Sequence, residues 1–220
     1  MCMRDIAEHS NRIVTISEFS KREICQNLGV DSTKISVIYP SWDHMDRIQE
    51  DINILPARHL EDGTFYFALG SLMPHKNIEW IIRAAMNNPN EVFVIAGRLD
   101  TSFSDVPRNV QILGYVTDSE AKALMSRCRA FISPSKYEGF GLPPLEAVAS
   151  GCTCLLLSDI EIYHEVYGDC ANYFDSSDYS WKIPKNLHAV SAEESRELLT
   201  KYSIEQAASA MIRELRAIQS

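Results

Sequence analysis

Solid apolar runs alternate with stretches of helical period through the middle of the chain. "TFYFALG", "EVFVIAG", "NVQILGYV", "AFISPS" and "TCLLLSD" are short and rich in β-branched, leucine and aromatic residues, and the first two close on Gly70 and Gly97. Runs this apolar predict strands covered on both faces. Between them, "NIEWIIRAAMNN" repeats its apolar positions at helical spacing, and "TDSEAKALMSRC" opens with Thr117 and Glu120 in capping-box spacing. A further helix is expected from about Pro143 to Ser150. "IEIYHEVYG" reads as a short helix or turn and "CANYF" as an edge strand. Strands alternating with helices predict an α/β fold with a Rossmann-like, doubly wound parallel sheet.

The flanks are less regular. "RIVTI" and "KISVIYP" predict two short strands. The helix between them should run from Glu18 to about Leu28, capped by Ser17 and ended by Gly29. Residues 41–63 show no clear period and read as linker and loop. Near the end, Ser203 and Gln206 stand at capping-box spacing. Ile204, Ala207, Ala208, Met211, Leu215 and Ile218 form one stripe of a terminal helix. The expected organisation is 1–40, 41–63 as linker, 64–188 as the Rossmann-like domain, and 189–220 as C-terminal helices.

Composition changes this picture little. The chain has 220 residues, 45% hydrophobic and 23% charged, which is ordinary for a globular protein. A net charge of -9 speaks against nucleic acid as a partner but not against a local basic pocket. No apolar run approaches the roughly 18 residues of a spanning helix, and "MCMRDIAEHSNR" has no signal-peptide core. The six cysteines form no C-x-x-C pair and read as reduced thiols of a cytoplasmic protein.

Candidate chemistry sits where strands end, since open α/β sheets bind ligands beyond their carboxyl edges. The densest such stretch is "SPSKYEGFGLPPLEAVASG". Gly139 and Gly141 let backbone approach a ligand, and Pro143 and Pro144 suit a first helical turn. A helix start of this kind offers free N–H groups and a positive dipole end to an anion. G-x-G is present, but Pro144 stands where a dinucleotide fingerprint needs its third glycine. Glu146 falls in the first turn of this expected helix, where it is either a helix-start residue or an acceptor for sugar hydroxyls. Glu138 could accept hydroxyls too. In "GSLMPHKN", Lys76 is either an exposed loop lysine or a point charge for phosphate.

These stretches together resemble the C-terminal half of a retaining glycosyltransferase of the two-Rossmann type (GT-B), family 4, also described as glycosyl transferases group 1. "IVTISEFSKREI", "ALGSLMPHKNIEWIIRAA", "VIAGRLD", the run from "NVQILGYV" to "EAVASG", and "HEVYGDCANYFDSSD" carry the resemblance in order over about residues 11–178. The resemblance implies one GT-B half plus a short remnant of the N-terminal GT-B domain. It implies binding of a nucleotide-diphosphate sugar, with no metal and no other cofactor. Lys76 would neutralise the diphosphate, in a loop that includes Gly70, Ser71 and His75. The backbone at Phe140, Gly141 and Leu142 would meet sugar and phosphates. Glu138 would hold the transferred sugar, Glu146 the ribose, and Tyr115 and Val116 would border the base. Glu138 and Lys76 are the candidate catalytic residues.

Three departures qualify this. Many relatives carry arginine at the position of Ser71 or of His75, so the clamp lacks one permanent charge unless His75 is protonated. Thr153 replaces a common proline. Most of an acceptor-binding domain is not represented. The resemblance therefore implies hexosyl transfer to a glycan or lipid-linked acceptor, with a separate N-terminal-half subunit or a homodimer as partner. The alternatives are a non-catalytic nucleotide-sugar binding module and a scaffold that has lost its ligand. The expected location is cytoplasmic, free or peripheral at the inner face of the membrane.

Overall fold

Two facing sets of side chains along each central strand decide the architecture. The computed structural model describes residues 3–71, 73–97, 103 and 105–219. Strand β3 (Phe65–Leu69) sends Phe65 and Phe67 to one face and Tyr66 and Ala68 to the other, and all four are buried. β4 (Val92–Ala96) divides in the same way, Val94 and Ala96 against Phe93 and Ile95. Both faces of the sheet are thus covered, which explains why these strands read as unbroken apolar runs.

The chain begins with α1 (Met3–His9), β1 (Ile13–Thr15), α2 (Glu18–Leu28) and β2 (Ile35–Val37). β1 and β2 form a separate two-stranded parallel sheet with Ile13 opposite Ile35. The main sheet holds six parallel strands in the order β5-β4-β3-β6-β7-β8, where β5 is Val110–Gly114, β6 Ala130–Ser133, β7 Leu155–Ser158 and β8 Asn172–Phe174. Counted from β3, this is the doubly wound order of a Rossmann sheet, with its direction reversing between β3 and β6. β8 lies at the edge, as "CANYF" predicts.

Helices cover the two faces. α4 (Ile78–Asn87) buries Ile78, Trp80, Ile81 and Ala84 against Tyr66, Phe93 and Ile95. Trp80 stacks on Phe174 with ring centroids 4.1 Å apart, and its Nε1 donates to the Asp178 carbonyl at 2.9 Å. The opposite face is covered by α5 (Asp118–Arg127), α6 (Leu142–Ala149) and α7 (Glu161–Tyr167). The capping box of Thr117 and Glu120 is present as read from the sequence. So are the Ser17 cap of α2 and its end at Gly29, with φ 69°.

The segment 41–63 differs from its expectation as linker and loop. It forms a 3-10 turn at Asp43–Arg47 and α3 (Ile54–Ala57), and Met45, Ile54, Leu55 and Leu60 enter the core. Its apolar residues are too irregularly spaced to show a period. α8 (Ala192–Lys201) has its own capping box, Ser191 with Glu194, and buries Leu198. α9 (Ile204–Gln219) returns to the N-terminal segment, where Glu214 meets Arg12 at 2.8 Å. Cys2 and the Ile218 side chain lie outside the described residues, as do Arg98, Leu99 and Asp100 of the strand end "AGRLD".

The first forty residues dock onto the sheet domain rather than bury a core alone. α2 has no buried residue of its own. Glu165 of α7 caps it from outside, accepting from Glu18 N and Phe19 N at 2.8 Å each. Phe19 packs edge-on against Tyr137 at 5.6 Å. No helix among the described residues is long and apolar enough to cross a membrane.

Candidate functional site

The loops leaving β3 and β6 flank the reversal point of the sheet, where open α/β sheets form their binding crevice. Main-chain and amide bonds stitch these two loops together. Lys136 N donates to the His75 carbonyl at 2.7 Å. Asn77 has φ 52°, is buried, and donates from Nδ2 to the carbonyls of Pro134 (3.2 Å) and Ser176 (3.1 Å). The short 3-10 turn Pro74–Lys76 is held in this way beside the β6 loop. As a result Lys76 Nζ meets Glu138 Oε1 at 2.6 Å, with both side chains mostly buried. The pair joins two residues that the sequence separates by 62 positions.

The glycine loop is fixed from both sides. The Gly139 carbonyl accepts from Ser17 Oγ at 2.6 Å and Ser20 Oγ at 3.0 Å. Phe140 sends its ring into an aromatic group with Tyr39 and Tyr202, at 6.0 and 5.2 Å, so only its backbone faces the loop. Gly141 caps α6 in the left-handed region, φ 83° and ψ 56°. A Cβ there would stand 2.4 Å from Tyr163 Cε1, and its carbonyl accepts from the Tyr167 hydroxyl. As a glycine, Gly141 has no side chain with which to cap α6. Pro143 and Pro144 carry no N–H, so the donors this helix start can turn toward an anion are those of Gly141 and Leu142.

Glu146 corrects one expectation. α6 begins at Leu142, which makes Glu146 its fifth residue and leaves no acidic residue in the first turn. The helix dipole therefore does not explain its carboxylate. The partner present is His44, whose Nε2 lies 2.9 Å from Glu146 Oε1. Burial raises the Glu146 pKa above the usual carboxylate value, His44 opposes the shift, and the nearby charge of Asp118 adds to it. Glu146, Asp118 and His44 are the polar residues lining a cavity of about 190 Å³, with Ile48, Leu69 and Met125 among its apolar lining. A partly apolar cavity with a carboxylate in its lining can take a planar ring and accept hydrogen bonds from hydroxyls attached to it.

That raised pKa has a consequence for stability. The folded chain protonates Glu146 more readily than the unfolded chain does, so its charge costs stability at neutral and alkaline pH, and the cost fades as the pH falls through the raised pKa. Glu146→Gln is expected to melt above wild type in alkaline buffer, and the gap should close in mild acid. Thermal melts across a pH series check this. A gap that is independent of pH, or of opposite sign, refutes it.

The remaining predicted residues are spread around this centre. Gly70 directly follows β3 and packs over Ile78. Ser71 lines a second cavity of about 250 Å³ beside Asn77, Lys136 and Tyr179. His75 is half-buried and contributes its carbonyl to the loop stitching. Tyr115 is 71% exposed, whereas Val116 is buried in the core and offers a ligand only its backbone. The sequence pattern does not single out His44, Asp118, Ser20 or Glu165. Glu165 and His44 lie on segments whose apolar spacing carries no site signal, and their contacts join distant parts of the chain.

Comparison with known proteins gives a consistent result. The family described as Glycosyl transferases group 1 matches residues 51–181. The chain is 34% identical over 181 residues to the O-antigen chain mannosyltransferase RfbU of Salmonella typhimurium, covering 77% of this chain and 48% of that protein. It is 28% identical over 222 residues to the O-antigen chain mannosyltransferase B of Escherichia coli, covering 93% of this chain and 58% of that protein. The chain thus spans about half the length of these curated relatives. Among solved structures, Anabaena Alr3699/HepE in complex with UDP superposes with a TM-score of 0.76 at 13% identity, covering 96% of this chain and 65% of that one. A glycosyltransferase from Rickettsia africae superposes at 0.74 with 14% identity, covering 98% and 67%.

Proposed function

Because the chain belongs to the glycosyl transferases group 1 family, we propose that it is the donor-binding half of a retaining hexosyltransferase acting on a surface glycan or its lipid-linked precursor. The observation that carries this reading is the Lys76–Glu138 pair, 2.6 Å apart at the reversal point of a Rossmann sheet. A cation and a hydroxyl acceptor there are matched to a diphosphate and the sugar attached to it. The names of the relatives make mannose the first sugar to test.

In this reading the nucleoside enters the cavity beside Leu69 and Glu146, and Glu146 accepts from the ribose hydroxyls. The diphosphate lies between Lys76 and the amides of Gly141 and Leu142, and Glu138 accepts hydroxyls of the hexose. The acceptor hydroxyl attacks C1 on the face from which the diphosphate leaves. The C1–O bond to phosphate breaks, and the acceptor proton passes to the departing phosphate oxygen. Lys76 and the α6 amides stabilise the charge that develops there, a role for which single donors are worth about 10²–10³ in rate. No metal is assigned a part, so a chelator should leave the rate unchanged.

Melting the chain with GDP, UDP, ADP and dTDP tests the reading. A ligand at a hundred times its Kd adds about 2.7 kcal/mol, or roughly 5–10 °C for a chain of this size. A shift with one base, followed by sugar transfer when the acceptor-binding half is supplied, is the expected result. A shift with no transfer under those conditions leaves a binding module, and no shift with any nucleotide refutes donor binding.

A further inference from the structure

Glu146 has two carboxylate oxygens, and among the described residues the hydrogen bond to its side chain comes from His44, on Oε1. His44 lies in the 3-10 turn Asp43–Arg47, upstream of the sheet domain. That turn is held from three directions. Lys122 Nζ of α5 donates to the carbonyls of Met45 (2.7 Å) and Ile48 (2.9 Å). Asp43 Oδ2 accepts from Ile204 N, at the start of α9, at 2.7 Å. Trp42 Nε1 donates to the Leu199 carbonyl of α8 at 2.7 Å. Met45, beside His44, is buried and anchors the turn in the core.

So firm a mount is more than an exposed ion pair requires, since such pairs contribute little on their own. Facing a carboxylate, His44 takes the tautomer or charge state that carries a proton on Nε2. It thereby occupies one oxygen and fixes the plane of the carboxylate. The other oxygen is left for hydrogen-bond donors entering the cavity that both residues border. Its hydrogen bond also favours the ionised form of Glu146 against the effect of burial. An ionised carboxylate is the stronger acceptor for a hydroxyl.

We propose that His44 is a positioning residue for the nucleoside: it takes Glu146 Oε1 and aims Oε2 at the ribose diol. This rests on the reading of Glu146 as the ribose acceptor. His44 acts on the ribose through Glu146 and touches neither the diphosphate nor the reacting carbon.

The test compares a ribonucleoside diphosphate, GDP or UDP, with its 2′,3′-dideoxy counterpart, by calorimetric titration of the full chain. Wild type should favour the ribose form about tenfold or more, as expected for a charge-assisted bond. His44→Ala should lose most of that preference, weakening the ribose form several-fold more than the dideoxy form. His44→Gln, whose amide can donate from a similar distance, should keep most of it. An equal loss for both nucleotides makes His44 merely structural and overturns the proposal. So does a His44→Ala variant with undiminished preference when Glu146→Gln has lost it. If wild type does not discriminate between the two nucleotides at all, the ribose role of Glu146 fails, and the proposal with it.

Discussion

Lys76→Ala is expected to cut the thermal shift given by nucleoside diphosphates by half or more and to lower the melting temperature of the free chain as well. The two losses have separate causes. In the free chain Lys76 neutralises Glu138 at 2.6 Å, and both side chains are largely out of water. Removing the cation leaves a mostly buried carboxylate without its charged partner, which costs on the order of 1–3 kcal/mol. At this size each kcal/mol lowers Tm by roughly 2–4 °C. With ligand, the missing ammonium would no longer face the diphosphate. A charge-assisted contact of about 1.5–3 kcal/mol is then lost, which is tenfold to a hundredfold in Kd. The double substitution Lys76→Met with Glu138→Gln separates the two effects. It removes both charges, so the free chain should recover much of its stability, yet nucleotide binding should not return. Melting curves with and without nucleotide, run on the single and double variants, read both quantities. A full nucleotide shift in Lys76→Ala would show that the diphosphate lies elsewhere.

Gly141→Ala is the second large effect, and it begins as a packing problem. The backbone at Gly141 lies in the left-handed region, where a Cβ costs about 1–2 kcal/mol. The added methyl would also stand 2.4 Å from the Tyr163 ring. That ring is fully buried, and its hydroxyl is tied to Ser133 Oγ at 2.6 Å, so it cannot swing aside cheaply. Overpacking of this kind costs about 1–3 kcal/mol. The sum is about 2–5 kcal/mol, with the amides of Gly141 and Leu142 displaced from any anion they face. Gly151 is the control. Its φ is 102° and nothing lies within 4 Å of where a methyl would stand, so Gly151→Ala introduces backbone strain alone. Both variants can be compared by thermal melting. If Gly141→Ala melts no lower than Gly151→Ala, the Tyr163 contact does not set the loop.

The sheet and its helices are legible in the sequence because their signals are local. Phe65, Tyr66, Phe67 and Ala68 are apolar on both faces, and that pattern alone marks a covered parallel strand. Ser17, Gly29, Thr117 and Glu120 act within a few residues of themselves, and their caps appear as hydrogen bonds and backbone angles. The glycine loop is legible for the same reason, since glycines and prolines restrict the backbone wherever they stand. Partners across the fold are not. His44 and Glu146 lie 102 residues apart, and Ser17 and Gly139 are separated by 122. No periodicity connects them. A helix starting at the prolines would keep Glu146 in its first turn. Gly141, in its left-handed conformation, starts the helix at Leu142 instead and moves Glu146 beyond that turn. The order within 41–63 is hidden because a 3-10 turn and a four-residue helix are too short to display an amphipathic stripe.

The hydroxyls of Ser17 and Ser20 both close on the carbonyl of Gly139, next to Glu138 in the chain. Ser17 follows β1 by a single residue. The small sheet and the Glu138 carboxylate are therefore linked through two short hydrogen bonds. A tilt of α2 would carry the Gly139 carbonyl with it and shift Glu138 relative to Lys76. A load on β1 and β2 would thus reach the Lys76–Glu138 pair, although neither strand contributes a residue to it.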